Sequence, residues 1–179
     1  MRYAALLRGI GPTNPNMRNE KLRGVFEKLG FDNVRTVITT GNVLFESLDK
    51  DAAGLESAIE EGIEKRLGFS STTIIRSQQQ LKKLVGENPF GGLEDSPTAR
   101  LNVTFLKKRQ RSELKVPYRA EDKGWSIVAV RGREICSLID QSGATTPDVM
   151  AWMEKQFGKE ITTRTWKTVG KILTRLDAD

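Results

Sequence analysis

The chain has 179 residues, with 29 lysines and arginines against 23 aspartates and glutamates, one cysteine and no histidine. That length supports one ordinary domain or two small ones, burying roughly 70% of the unfolded surface, so the core needs no disulfide to stand. The absence of histidine removes the usual general base, the Ser/His and Cys/His dyads and histidine-bearing metal sites, while a lone Cys136 removes any internal disulfide.

The net charge of +6 gives a modest long-range attraction for anions. The one dense basic run is Lys107-Lys108-Arg109-Gln110-Arg111, and elsewhere the charges alternate in sign along helix faces. No charged segment followed by an apolar one opens the chain, and its apolar runs are a few residues long against the roughly 20 that span a bilayer. The expectation is a cytoplasmic protein without a membrane partner.

In chain order, residues 2–10 are short, apolar and bounded by Gly9 and Pro12, which predicts a buried first strand followed by a Gly/Pro/Asn-rich loop. Leu22, Val25, Phe26 and Leu29 recur at helical spacing from Met17 onward, with Asn16 or Asn19 as cap, Gly30 as the left-handed stop and Phe31 folding back on the last turn. The stretch 36–47, TVITTGNVLFES, predicts a hairpin with strands 34–39 and 43–46 reversing at Thr40-Gly41-Asn42. A second helix is expected over 51–67, with Leu55, Ala58, Ile59, Ile63 and Leu67 on one face and Gly68 at its end. Strand 72–76 follows, and Ser77 with Gln80 forms a capping box for a short helix.

Residues 87–99 (ENPFGGLEDSPT and Ala99) carry two prolines and two adjacent glycines without apolar periodicity and are expected to be a linker. The pattern then restarts. A strand alternates through Leu101, Val103 and Phe105, a short helix is expected over 110–116, and a second hairpin turns at Arg131-Gly132. A helix opens at Thr146-Pro147 and carries Val149, Met153 and Phe157, Ile161 marks a brief strand, and a last helix opens at Thr163 with Trp166, Val169, Leu173 and Leu176 inward. Both halves read strand, helix, hairpin, helix, strand, helix. The predicted fold class is α+β: tandem duplicated ferredoxin-like (βαββαβ) units with antiparallel sheets, over 1–86 and 100–179.

The segments LLRGI (6–10), LGFDNVRTVITTGNVLFES (29–47), ENPF (87–90), LNVTFL (101–106) and TTRTWKTV (162–169) together resemble a bacterial family of uncharacterised proteins, domain of unknown function 1697. The resemblance implies a tandem pair of ferredoxin-like units in a cytoplasmic bacterial protein, and no activity. Where many members carry a GINVGGK-like loop after the first strand, this chain has Gly9-Ile10-Gly11-Pro12-Thr13-Asn14-Pro15, so no glycine-rich phosphate cradle with its lysine is present there.

The positive chemistry is anion binding. Thr162 to Lys167 (TTRTWK) sets hydroxyls and two cations at the expected start of the last helix, where free N–H groups and the dipole favour an anion; plain capping by Thr163 with Trp166 in the core is the competing reading. Arg8 and Arg35 with the Thr39-Thr40-Gly41-Asn42 turn form a second feature, either for phosphate or for tying down loop carbonyls. The expected anion-binding residues are Arg8, Arg35, Asn42, Thr163, Arg164 and Lys167, with no metal, no cofactor and a phosphate-bearing ligand or nucleic acid as partner. Cys136 is expected to be a buried, inert thiol. The function expected is an anion- or phosphate-binding module for nucleotide or nucleic acid. The alternatives are a histidine-independent enzyme acting on a phosphorylated or carboxylated small molecule through Lys, Asp or Tyr, and a protein-interaction scaffold. No strand carries the aromatic signature of sheet-face RNA binders.

Overall fold

The computed structural model describes residues 1–11, 13–39, 41–110, 114–120, 123–143 and 148–178. It is an α+β fold, with five α-helices among the described residues and two antiparallel sheets. The chain divides into two compact units: Met1–Lys82 with Lys171–Asp179, and Lys83–Gly170.

The first unit is built on β1 (Arg2–Leu7), whose apolar run is buried on both faces, as a central strand requires. It pairs on one side with β3 (Asn42–Glu46) and on the other with β4 (Thr73–Ser77), while β2 (Asp32–Thr36) lies outside β3, giving the order β2-β3-β1-β4. The register sets Tyr3, Ala5, Leu7, Val43, Phe45 and Ile75 on one face. There they pack on Leu22, Val25 and Phe26 of α1 (Asn19–Lys28) and on Leu55, Ile59 and Ile63 of α2 (Ala52–Leu67).

The helix ends follow the local chemistry. After α1, Gly30 takes φ +82° and its N–H bonds the Glu27 carbonyl, while Phe31 N–H reaches back to the Phe26 carbonyl (3.3 Å); this αL stop brings the Phe31 ring onto Phe26 as expected. The front of α1 differs from expectation: Asn14 caps a 3₁₀ turn at Pro15–Met17, and α1 begins after Arg18 with no side-chain cap. In α2, Asp51 caps Ala53 N–H and Gly68 closes the helix at φ +74°. Gly62 lets α1 and α2 approach closely, since a Cβ there would stand 3.1 Å from Val25 Cγ1 and 3.2 Å from Leu29 Cδ1.

The outer edge of β4 is closed by side chains. Every second N–H of that strand points away from β1, and these donors go to Glu60 Oε1 (Thr73 N, 2.7 Å), Glu56 Oε1 (Ile75 N, 2.9 Å) and Gln80 Oε1 (Ser77 N, 2.9 Å). A foreign strand would need those same donors, so α2 and the following helix α3 (Gln78–Gly86) blunt the edge. Glu56 is itself buried on α2, a position where a carboxylate is otherwise unexpected. Glu56→Ala strands the buried Ile75 N–H and is expected to lower stability by about 2 kcal/mol, read by urea denaturation. Glu56→Gln keeps a carbonyl acceptor and is expected to retain most of it; equal losses for the two variants would show that the carbonyl oxygen is not what matters.

The second unit holds β5 (Ala99–Leu106), β6 (Tyr118–Ala120), β7 (Trp125–Arg131), β8 (Glu134–Asp140) and β9 (Ile161–Thr165) in the order β6-β7-β8-β5-β9. One face carries Leu106, Trp125, Ile127, Ile135, Ile139 and Ile161 against Val149, Met153 and Phe157 of α4 (Val149–Phe157). Asp148 caps α4 through Ala151 N–H (3.1 Å); the expected start at Thr146-Pro147 lies outside the described residues, as does the middle of the helix expected over 110–116. Residues 87–98 belong to this unit, with Phe90 buried edge-on against Trp166 (5.1 Å) and Asp95 accepting from Leu101 N–H (2.7 Å). The last helix, α5 (Trp166–Asp177), buries Val169, Ile172 and Leu176, so Ile172 takes the inward place expected for Leu173; Leu29 and Trp166, expected in the core, are half-buried. Among the described residues no helix is long and apolar enough to cross a membrane.

Candidate functional site

In the first unit the hairpin turn is fixed from several sides. Val37 N–H bonds the Asn42 carbonyl (3.0 Å), Asn42 Nδ2 donates to the Val37 carbonyl (3.0 Å), Asn19 Nδ2 donates to the Ile38 carbonyl (2.9 Å), and Leu7 N–H reaches the Gly41 carbonyl (2.8 Å). Ile38 sits at φ +52°, a conformation that β-branched residues rarely hold, and its side chain is exposed. Thr40, counted in the expected turn, lies outside the described residues. Asn42 is wholly buried and its amide closes the hairpin. Arg8 is half-buried at the end of β1; its backbone N–H bonds the Thr72 carbonyl and its carbonyl accepts from Ser71 Oγ (2.8 Å), which ties β1 to β4.

Arg35 pairs across from Leu44 and therefore stands on the sheet face opposite α1 and α2. A register shift between Asp32 and Arg35 bends β2 there, with Asn33 at φ +49°. Beside it is a cavity of about 240 Å³ lined by Arg23, Val34, Arg35, Thr36, Val37, Leu44 and Arg175. Arg23, Arg35 and Arg175 thus line one opening with no carboxylate among the described residues of its lining, and their summed potential favours an anion. Arg23 bonds Glu27 through Nε (3.2 Å), an i,i+4 surface pair of the kind worth under about 1 kcal/mol. The Arg175 side chain is exposed and makes no ion pair or hydrogen bond among the described residues. Arg23 and Arg175 carry no sequence signal for this role: each reads as one more cation on a solvated helix face.

The six expected site residues fall into both units. Arg8, Arg35 and Asn42 belong to the first, and of these Arg35 alone lines the cavity. Thr163, Arg164 and Lys167 belong to the second, where the final helix opens at Trp166 and not at Thr163. Thr163 and Arg164 are strand residues of β9 and face opposite ways. Thr163 Oγ1 meets Thr104 Oγ1 (2.7 Å) and Met150 Sδ (3.1 Å) on the α4 side, while Arg164 pairs with Val103 on the other face. Arg164 is 8% exposed, with Nη1 donating to Thr162 Oγ1 and to the Thr163 carbonyl (2.8 Å each), and burial draws its guanidinium down to about 10, still protonated at neutral pH. The helix is capped by Thr165, whose Oγ1 accepts from Thr168 N–H (3.2 Å), and Lys167 is exposed on its first turn.

Cys136 is wholly buried on β8, and its thiol is pushed up to about 12, chiefly by burial and then by the charge of Glu134, against a smaller lowering from Arg131. It carries almost no thiolate at neutral pH and so is no nucleophile. No group of three or more cysteine, aspartate or glutamate side chains placed to hold a metal occurs among the described residues.

No curated protein matches the chain. Among solved structures it is similar to the conserved bacterial protein SP0830 from Streptococcus pneumoniae, with 22% identity over 98% of this chain and 97% of that one and a TM-score of 0.68. At that identity the likeness shows the fold alone. The family described as "Protein of unknown function (DUF1697)" matches residues 1–135, which is most of the chain, and the protein belongs to that family.

Proposed function

We propose that the protein is an anion-binding module and that its site is the arginine-lined cavity of the first unit. The observation that carries this is the meeting of Arg23, Arg35 and Arg175 around one cavity of about 240 Å³ with no acidic side chain among the described residues of its lining. Guanidinium is a planar fork that takes carboxylate or phosphate oxygens two at a time, and three like charges around one opening gain from a counter-charge. Arg35 is the member of the expected set at the centre of this reading; Arg8 ties β1 to β4 through its backbone, and the stretch with Thr163, Arg164 and Lys167 serves the strand–helix junction of the second unit. Pyrophosphate titrated at low salt is expected to raise the melting temperature of the wild type. Arg175→Ala is expected to abolish most of that rise while leaving the unliganded melting temperature within about 2 °C, since an exposed cation contributes little to folding. An equal rise in both proteins would remove the cavity from consideration.

The duplication reading of the fold is likewise a proposal. Both sheets follow the order of a βαββαβ unit, β2-β3-β1-β4 and β7-β8-β5-β9, with β6 added at one edge. Each unit's last strand also runs without a loop into a helix across a matched junction. Buried Arg76 donates to the Ile75 carbonyl (2.8 Å) just before the Ser77/Gln80 cap, as Arg164 does to the Thr163 carbonyl just before the Thr165/Thr168 cap.

A further inference from the structure

Resting on the reading of the cavity as an anion site, we infer that its ligand is a short extended acidic segment of another protein, which adds to the outer edge of β2 as a strand and sets one carboxylate side chain on Arg175. One carboxylate is what the cations ask for. Arg23 is paired with Glu27 and Arg35 has a partner of its own, so the guanidinium left to a ligand is that of Arg175, and one fork satisfies one carboxylate.

The cavity lies over a sheet edge. In the register of β2 with β3, Thr36 stands opposite Val43 on the face covered by α1 and α2, and Val34 packs on that same core. Arg35, opposite Leu44, stands on the other face, and Val37 shares that face by alternation. Side chains from both faces line one opening, which therefore wraps around β2. Arg23 reaches it from α1 on the first side. Arg175 belongs to the second: the carbonyl of Leu176, its neighbour on α5, accepts from Arg2 Nη1 (3.0 Å), and Arg2 shares the face of Ala4 and Leu44.

The backbone of that edge is open. Val37 N–H bonds the Asn42 carbonyl, so along the antiparallel ladder Arg35 and Val37 turn their main-chain groups to β3, and Thr36 turns its N–H and C=O outward. Neither has a partner among the described residues. The other edge of the same sheet is closed at three successive outward donors, by Glu60, Glu56 and Gln80. The open stretch is short, because the register shift after Asp32 interrupts it on one side and Asn19 takes the Ile38 carbonyl on the other. A strand laid on it exchanges two bonds with Thr36. Its paired residue then points to the α1 side with Thr36, and the residues flanking that one point to the Arg35 side, where Arg175 stands. A second copy of the chain fits less well, since it would set the same three arginines against these. Single-stranded nucleic acid binds by stacking bases on aromatic rings, and none of the described lining residues is aromatic.

The test is NMR titration of the full ¹⁵N-labelled chain at low salt. The probes are the blocked pentapeptide acetyl-Thr-Glu-Val-Glu-Thr-amide, the same peptide with glutamine for both glutamates, the same peptide N-methylated at valine, pyrophosphate and a single-stranded DNA 12-mer. The acidic peptide is expected to move the Thr36 amide resonance downfield and to bind at least tenfold more tightly than its glutamine and N-methyl forms, which lack the carboxylate and the N–H offered to the Thr36 carbonyl. Arg175→Ala, its fold confirmed by circular dichroism, is expected to lose at least tenfold. Equal binding of the glutamine or N-methyl peptide would overturn the strand inference. So would Arg175-dependent binding of pyrophosphate or DNA without the acidic peptide, or a dimer of the free chain that protects the Thr36 amide from exchange; pyrophosphate binding that depends on Arg175 leaves the anion-site reading standing in each case. No binding by any probe, or binding untouched in Arg175→Ala, would overturn that reading itself.

Discussion

Phe45→Ala is expected to destabilise the protein by about 3–5 kcal/mol, the range for truncating a buried phenylalanine. Phe45 is 1% exposed and is the ring on which three others meet: Tyr3 stacks on it at 5.4 Å, Phe26 meets it edge-on at 5.5 Å, and Phe31 lies at 4.6 Å. Those three come from β1, from α1 and from the residue that follows the Gly30 stop, so one side chain ties the central strand to the first helix and to its exit. Removing it forfeits the ring's transfer free energy and leaves a space that three rigid aromatic planes cannot readily fill. Chemical denaturation is the measurement, and Leu48→Ala, at a side chain 95% exposed, is the reference expected to stay within about 0.5 kcal/mol of wild type. A Phe45→Ala loss below about 1 kcal/mol would mean that the cluster collapses around the gap, contrary to this account.

Gly41→Ala is expected to cost about 2–4 kcal/mol, because two penalties fall on one atom. Gly41 has φ +72°, where any Cβ is strained, and a Cβ built there stands 2.6 Å from Ile10 Cγ1, 3.0 Å from Ile10 Cβ and 3.1 Å from Leu7 Cβ. Ile10 Cγ1 can swing aside, but the two Cβ atoms move only with their backbones, and Leu7 N–H is bonded to the Gly41 carbonyl itself (2.8 Å). Gly30→Ala separates the two penalties: φ is +82° there and nothing lies within 4 Å, so about 1 kcal/mol of conformational strain is expected alone. If the two substitutions proved equally costly, the steric half of the argument would be wrong. Gly41→Ala also displaces the turn that fixes Val37, so weakened anion binding at Arg35 is expected with it.

Much of the fold was legible in the residues. The stripe of Leu22, Val25 and Phe26, the glycine stop at Gly30 and the Ser77/Gln80 box each write their outcome within a few positions, because caps and helical faces are local physics. The same held for the buried first strand and the reversal near Gly41. The final strand and helix were less legible. Ile161 to Thr165 (ITTRT) is β-branched at all positions but one, the mark of a strand, yet threonine is also a helix cap, and reading Thr163 as that cap set it two residues ahead of the cap that forms, Thr165.

What the sequence by itself determined is therefore most of the elements, though not β6 or the 3₁₀ turn at Pro15–Met17, most of their buried faces, the family and the chemistry that is missing: no histidine, and one cysteine that sits in an apolar strand. What only the tertiary structure decided is which polar side chains share a space. Thr163 and Arg164 are neighbours in the chain, yet the pleat of β9 turns them to opposite faces and buries the arginine, whereas Arg23, Arg35 and Arg175, spread over α1, β2 and α5, meet at one cavity. Adjacency along a strand reverses with every residue, and convergence between distant elements depends on sheet order and register, which are settled by the packing of whole faces and leave no mark at any single position.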